Sequence, residues 1–160
     1  MKLCDHTSVG ILVRKGSSIL LIERAQPPFG FAPPAGHVDD HGSYEQAAIA
    51  ELAEEVGLTA LHLSFLHEER LHNRCRRPNG TWHLWKIYEA IVEGEVRLSR
   101  REARRALWAS PVQLRELAAR SERYQRGLIG EREWNAKPGL EPIWVYLFGQ
   151  LERQQSNDRR

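Results

Sequence analysis

Short apolar runs punctuated by glycine and proline predict strands ahead of the first helix. Val9 to Arg14 and Ser18 to Glu23 are separated by Lys15-Gly16-Ser17, the spacing of a β-hairpin that turns on a glycine. Both strands are expected to be buried on at least one face. Gln26-Pro27-Pro28-Phe29-Gly30-Phe31 then interrupts regular structure, because proline has no N–H to give to a sheet ladder. From Tyr44 to Val56 the period becomes helical: Ile49, Leu52, Ala53 and Val56 fall on one stripe, and Gly57 can take the left-handed conformation that ends a helix. Ser43-Tyr44-Glu45-Gln46 has the form of a capping box at its start. Ala60 to Glu68 and Thr81 to Val92 read as strands, the second rich in Trp, Tyr and Ile, which favour a pleated surface. The charged loop between them, Glu69 to Gly80, ends in a Pro78-Asn79-Gly80 turn.

Leu107-Trp108-Ala109 predicts one more short strand, and Ser110-Pro111 opens a second helix, Val112 to about Arg123, with Ser110 as N-cap. Gly127 to Pro142 is expected to be an ordered loop. Pro142 to Gln150 packs Ile143, Trp144, Val145, Tyr146, Leu147 and Phe148 together, more apolar surface than a monomer leaves bare. A third helix docked on its own domain, or a dimer contact, would cover it. The expected organisation is a single domain over residues 1–153 with a C-terminal helix, and a frayed tail over 154–160.

Composition narrows the class. The chain has 160 residues, 41% of them hydrophobic, enough for one core and short for two. No run approaches the roughly 18 apolar residues of a membrane span, and Met1 to His6 lacks the apolar stretch of a signal peptide, so a cytoplasmic protein is expected. The two cysteines, Cys4 and Cys75, offer no disulfide framework and read as free thiols. Net charge is only +2, yet arginines crowd 97–105 and 120–132, either to steer an anionic substrate or simply as solvated faces. The histidines His62, His67, His72 and His83, with Cys75, match no compact zinc-ligand spacing; alternating strand positions account for His62 and His83, so no structural zinc is expected.

The candidate chemistry lies on the first helix. Glu51, Glu54 and Glu55 fall at i, i+3 and i+4, one arc of about 100°. Like charges at that spacing repel by a few tenths of a kcal/mol per pair. Glutamate-rich faces are usually just solvated, but here three oxygen donors sit beside a glycine-bearing turn, Pro33-Pro34-Ala35-Gly36, and a hard ion, Mg²⁺ or Mn²⁺, suits them.

In its full length from Gly36 to Leu58 this segment resembles the Nudix box, G-x5-E-x7-R-E-U-x-E-E-x-G-U, with U aliphatic. Gly36, Glu51, Leu52, Glu54, Glu55, Gly57 and Leu58 agree with it; Gly42 and Ala50 stand where the motif has Glu and Arg. That pair is thought to brace the catalytic loop, and here both members are missing together, so no charge is orphaned. The resemblance, which covers Ser8 to Ala119, implies an α+β fold, a Nudix-type α/β/α sandwich with a mixed β-sheet, in the order β-β-β-α-β-β-β-α. Phe31 to Gly36 would be the short strand and turn entering the box.

It also implies Mg²⁺-dependent hydrolysis of a pyrophosphate bond in a nucleoside diphosphate linked to another group. Glu54 and Glu55 would be the core metal ligands, Glu51 a ligand or base, and Gly36 a loop residue whose carbonyl contacts metal. A fourth acid comes from a later loop, with Glu102 the best placed and Glu95 the alternative; Asp39 and Asp40 could replace the carboxylate lost at position 42. Phe29, Phe31, Arg74, Arg76 and Trp82 are candidates to hold the base, ribose or phosphate, although the aromatics could equally be core. The expected partner is a nucleotide-type small molecule; nucleic acid is disfavoured for want of aromatic platforms, and a monomer or homodimer is expected. A Nudix domain that binds a nucleotide without turnover is the alternative, favoured by Gly42 and Ala50 and opposed by the three retained glutamates.

Overall fold

In the computed structural model, which describes Met1–Arg160, the hairpin forms as β1 (Thr7–Lys15) and β2 (Ser18–Arg24), closed by Gly16 at φ +62°. Two very short strands follow, β3 (Phe31–Ala32) and β4 (Ala35–Gly36), then a 3₁₀ turn (Asp39–His41) and α1 (Tyr44–Val56). The chain continues through β5 (Thr59–Leu71), β6 (His83–Glu93), β7 (Ala103–Ala109), α2 (Pro111–Gln125), α3 (Glu131–Ala136) and α4 (Pro142–Asp158).

The sheet is mixed, in the order β3-β2-β1-β6-β5, with β4 added to β1 and β7 to β2. Only β1 and β6 run parallel, from Thr7 beside Leu84 to Val13 beside Ala90. On its other side β1 changes partner partway along. Its C-terminal end pairs with β2 at Arg14 and Lys15, whereas Val9 and Gly10 pair with Gly36 and Ala35 of β4. The sheet therefore splits beside the segment that carries Gly36, opening a crevice of the kind in which open mixed sheets hold ligands.

Both faces of the sheet are covered. Val9, Ile11 and Val13 point to α1 and pack with Ala47, Ala48, Leu52, Val56 and Tyr88. The intervening Leu12 faces the other way, with Trp85, Ile87, Trp144, Leu147 and Leu151. Two-sided burial is why β1 reads as a continuous apolar run rather than an alternating one. Gly10 is required at that position, since a Cβ there would collide with the Trp144 ring. The apolar C-terminal segment is thus a helix docked on its own domain. No helix is long and apolar enough to cross a membrane.

Several boundaries differ from those the sequence suggests. Both β5 and β7 are longer, β7 beginning at Ala103, where two arginines face outward on a strand paired only with β2. The expected loop over 127–142 contains α3. The Ser110 capping box is complete, while at Ser43 only the hydroxyl accepts, from the Gln46 N–H at 3.0 Å. Helix α4 continues to Asp158, past the expected start of the tail, with its last residues exposed.

Candidate active site

Helix α1 delivers three glutamates to a cavity of about 560 Å³ at the split in the sheet. Ser43 fixes its first turn, and Gly57, at φ +69°, ends it by donating to the Ala53 carbonyl. Within that frame Leu52 and Val56 turn into the core, so Glu51, Glu54 and Glu55 must face the cavity edge.

Glu55 is only 8% exposed. Its carboxyl accepts from the Ala35 N–H at 3.3 Å and lies against Glu51. Burial first, and Glu51 second, push the Glu55 carboxyl well above the ordinary carboxylate range. Burial also lifts Glu51, to about 7; the hydrogen bond from Glu55 works against that rise, and the charges of Glu54, Glu102 and Asp39 add to it. Glu51 can approach the backbone this closely because residue 36 is glycine: a Cβ there would overlap the Glu51 carboxylate.

Glu54 is exposed on the rim of the cavity, and Glu102, just before β7, lines it as well; Glu95 does not. The carboxylates are spread along the wall rather than closed into a compact shell. Such an open set fits Mg²⁺, which takes one or two carboxylates and fills its octahedron from water and substrate phosphate. Two adjacent acids with raised pKa values beside a glycine cradle are the kind of donor set that could hold a divalent cation, and Arg24 is the one basic side chain that acts on Glu55.

Of the candidate substrate contacts, Arg74 and Arg76 line the cavity, whereas Phe29, Phe31 and Trp82 do not. Phe31 is consumed by β3, 2% exposed and paired with Glu23 of β2. Trp82 is stacked on the His6 ring at 4.1 Å and covered by the Arg70 guanidinium at 4.0 Å. Phe29 lies under the Arg104 guanidinium, and its carbonyl accepts from Trp134 Nε1. The aromatic in the cavity is instead Trp85, with Asn73 accepting its Nε1–H at 3.0 Å. Period two along β6 was the available signal, as it puts Trp85 on the face of His83.

The sequence also passed over the groups that line the far wall. Arg24, at the end of β2, has a buried Nε without a partner, and its Nη1 is 3.9 Å from the Glu141 carboxylate. Glu141 arrives because residues 139–141 clip onto β3, with the Phe31 N–H donating to Gly139 and the Glu141 N–H to Phe31. Burial raises its carboxyl, against a smaller pull from Arg24.

The structure also accounts for the motif departure at position 42. Gly42 ends the 3₁₀ turn at φ +91°, a conformation that disfavours any side chain. In place of a 42–50 pair the loop is braced by Asp39, which accepts from both terminal nitrogens of Arg77 at 2.6 and 2.8 Å, with Lys2 Nζ 3.6 Å away. Asp40 is exposed, 3.6 Å from the same lysine.

Comparison with known proteins agrees with this geometry. The family model described as NUDIX domain matches residues 5–128. Similar solved structures include a MutT protein from Methanosarcina mazei Go1, 17% identical, covering 97% of this chain and 98% of its own, with a TM-score of 0.67. An Ap4A hydrolase from C. elegans is 26% identical over 76% of this chain and 89% of its own, with a TM-score of 0.55. The NUDIX domain of Shewanella oneidensis NrtR, complexed with ADP ribose, is 18% identical over 72% and 78%, with a TM-score of 0.56. Among curated proteins there is no significant match.

Proposed function

The chain belongs to the Nudix family, as a Nudix-type hydrolase, and on that premise we propose that it uses Mg²⁺, or Mn²⁺, to hydrolyse the pyrophosphate bond of a nucleoside diphosphate linked to another group. The observation that carries this reading is the pairing of buried Glu55 with half-buried Glu51, the latter against Gly36, on the wall of a cavity that also contains Arg24, Arg74, Arg76 and Arg77. Glu51, Glu54 and Glu55, joined by Glu102 and the Gly36 carbonyl, would hold the ion. When bound, the ion supplies neutralisation of the pyrophosphate charge and acidifies the attacking water.

The protein's own groups do the rest. Arg74 and Arg76 meet the outer phosphate charge, and guanidinium forks suit that geometry. Arg24 Nε offers a donor with no partner of its own to a ligand oxygen inside the cavity. The indole of Trp85 provides an apolar wall for a base or sugar. Glu51, if it does not itself hold the ion, would accept the proton of the attacking water. That one solved neighbour is an Ap4A hydrolase and another binds ADP ribose supports a substrate with a nucleotide on one side of the anhydride.

Phosphate release from nucleotide sugars, dinucleoside polyphosphates and nucleoside triphosphates, with Mg²⁺ or Mn²⁺, tests the reading. Turnover of at least one class is expected, falling about 10²- to 10³-fold in Glu54→Gln. Saturable nucleotide binding without turnover, or an undiminished rate in the variant, would overturn it.

A further inference from the structure

A second cluster adjoins the acidic wall and has a different chemistry. Cys4, from the segment before β1, His37, the neighbour of Gly36, Cys75, from the β5–β6 loop, and His83, at the start of β6, bring two sulfurs and two imidazole nitrogens within 4.8 Å of one another. Cys4 Sγ is 3.3 Å from His83 Nε2 and 3.6 Å from His37 Nε2. For a tetrahedral zinc ion with bonds of about 2.3 Å to sulfur and about 2.0 Å to nitrogen, the sulfur-to-nitrogen edge is about 3.5 Å. We propose that Cys4, His37, Cys75 and His83 form a structural zinc site that locks the N-terminal segment and the β5–β6 loop to the catalytic loop.

The surroundings are arranged for ligation. Asn73 Oδ1 accepts from Trp85 Nε1, which fixes that atom as the amide oxygen, and His83 Nδ1 lies 3.2 Å from the same atom. His83 must therefore carry its proton on Nδ1, leaving the Nε2 lone pair aimed at the cluster; orientation of a ligand through its second nitrogen is the usual outer support of a zinc site. Cys4 Sγ accepts from the His6 N–H at 3.3 Å. The loop around Cys75 is wound tightly: its N–H donates to Gly80, the Gly80 N–H donates to Arg77, and a Cβ at Gly80 would overlap Cys75 Sγ. The Cys4 N–H donates to Pro78 of that loop, so the two thiols approach from chain segments already tied together.

His83 is fully buried and Cys4 8% exposed. His37 and Cys75 are half-buried at the cavity wall. Four protein ligands with no open position describe a structural rather than a catalytic zinc site. Soft thiolate and imidazole donors select Zn²⁺, whereas the carboxylates on the other side of Gly36 select Mg²⁺ or Mn²⁺, so the two sites do not compete. On binding, the two thiols release their protons to solvent and the metal takes their sulfurs as thiolates.

The test uses the full chain, without an affinity tag, purified with neither added metal nor chelator. Elemental analysis is expected to find about one zinc per chain, falling below about a tenth in Cys4→Ser and in Cys75→Ser, and unchanged in Glu54→Gln. Because the cysteine variants can misfold, the parent protein is also stripped with a chelator and titrated with Co²⁺. Visible ligand-field bands with a thiolate charge-transfer band, displaced by one equivalent of Zn²⁺ but not by excess Mg²⁺, are expected. Stripped protein with two free thiols that takes up neither ion overturns the site. So does a Cys4–Cys75 disulfide in the protein as purified, or zinc retained by the Cys4→Ser/Cys75→Ser double variant.

Discussion

The acidic wall and the thiol–imidazole cluster meet at one peptide unit, Gly36–His37, but they are assembled in opposite ways. All three glutamates of the first come from a single helix, where a spacing of three and four residues already decides that they share a face. The four side chains of the second come from four segments, and Cys4 and His83 are 79 residues apart. The helix gathers its three carboxyls by local geometry alone, although only Glu54 is exposed while Glu51 is half-buried and Glu55 buried. The dispersed cluster exists only when the chain is folded, and it is the kind of arrangement in which metal affinity becomes folding free energy.

The most direct way to break the contrast is Gly36→Ala. Its methyl would displace the Glu51 carboxylate, and a shift of about 1 Å at a reacting centre costs about 10²-fold in rate. Turnover should fall by that factor while zinc content stays at one per chain. Cys75→Ser should do the reverse. Loss of the proposed zinc is expected to remove about 3 kcal/mol, a fall of roughly 6–12 °C in Tm, with Mn²⁺ still bound at the carboxylates. Calorimetric melts and metal titrations of the two variants read both outcomes.

Protons sharpen the comparison further. The Glu51 and Glu55 carboxyls are raised in the folded, metal-free protein above their ordinary value of 4.5, Glu51 to about 7. Folding therefore favours their protonated forms, and the part of the stability that Glu51 contributes is complete below about pH 4.5 and lost as pH rises through about 7. Mg²⁺ should offset the loss, so the Tm gained on adding it is expected to be larger at about pH 8 than at about pH 5.5. An equal gain at both values would mean that the ion does not sit at these carboxylates. The smallest effect is expected from Asp39→Asn, which gives up the charge of the Arg77 fork at a half-covered site. About 1 kcal/mol, or 2–4 °C, and a few-fold loss in rate should follow.

Legibility in the sequence follows the same division. Helix α1, its cap and its glycine stop are local, and so were readable with their three acids. The hairpin and α4 announced themselves by apolar content. Phe31 falls in the short strand expected there and is taken up by the pairing of Phe31 and Ala32 with Glu23 and Ile22, which leaves it in the core, the alternative the sequence leaves open. Helix α3, six residues long, is too short for a period to emerge, and the start of β7 was hidden by Arg104 and Arg105, the charges that an outer strand carries. Cys4 and His37 gave no spacing signal at all. Their partners are chosen by the β1–β6 and β1–β4 pairings, which bring both next to His83.

One further consequence attaches to Glu141. It stands in the cavity beside Arg24, yet it belongs to the stretch beyond residue 128, outside the part of the chain that matches the family. The bend that carries it is clipped to β3 at Phe31, so a segment beyond the family match, and not α1, closes the far wall of the cavity.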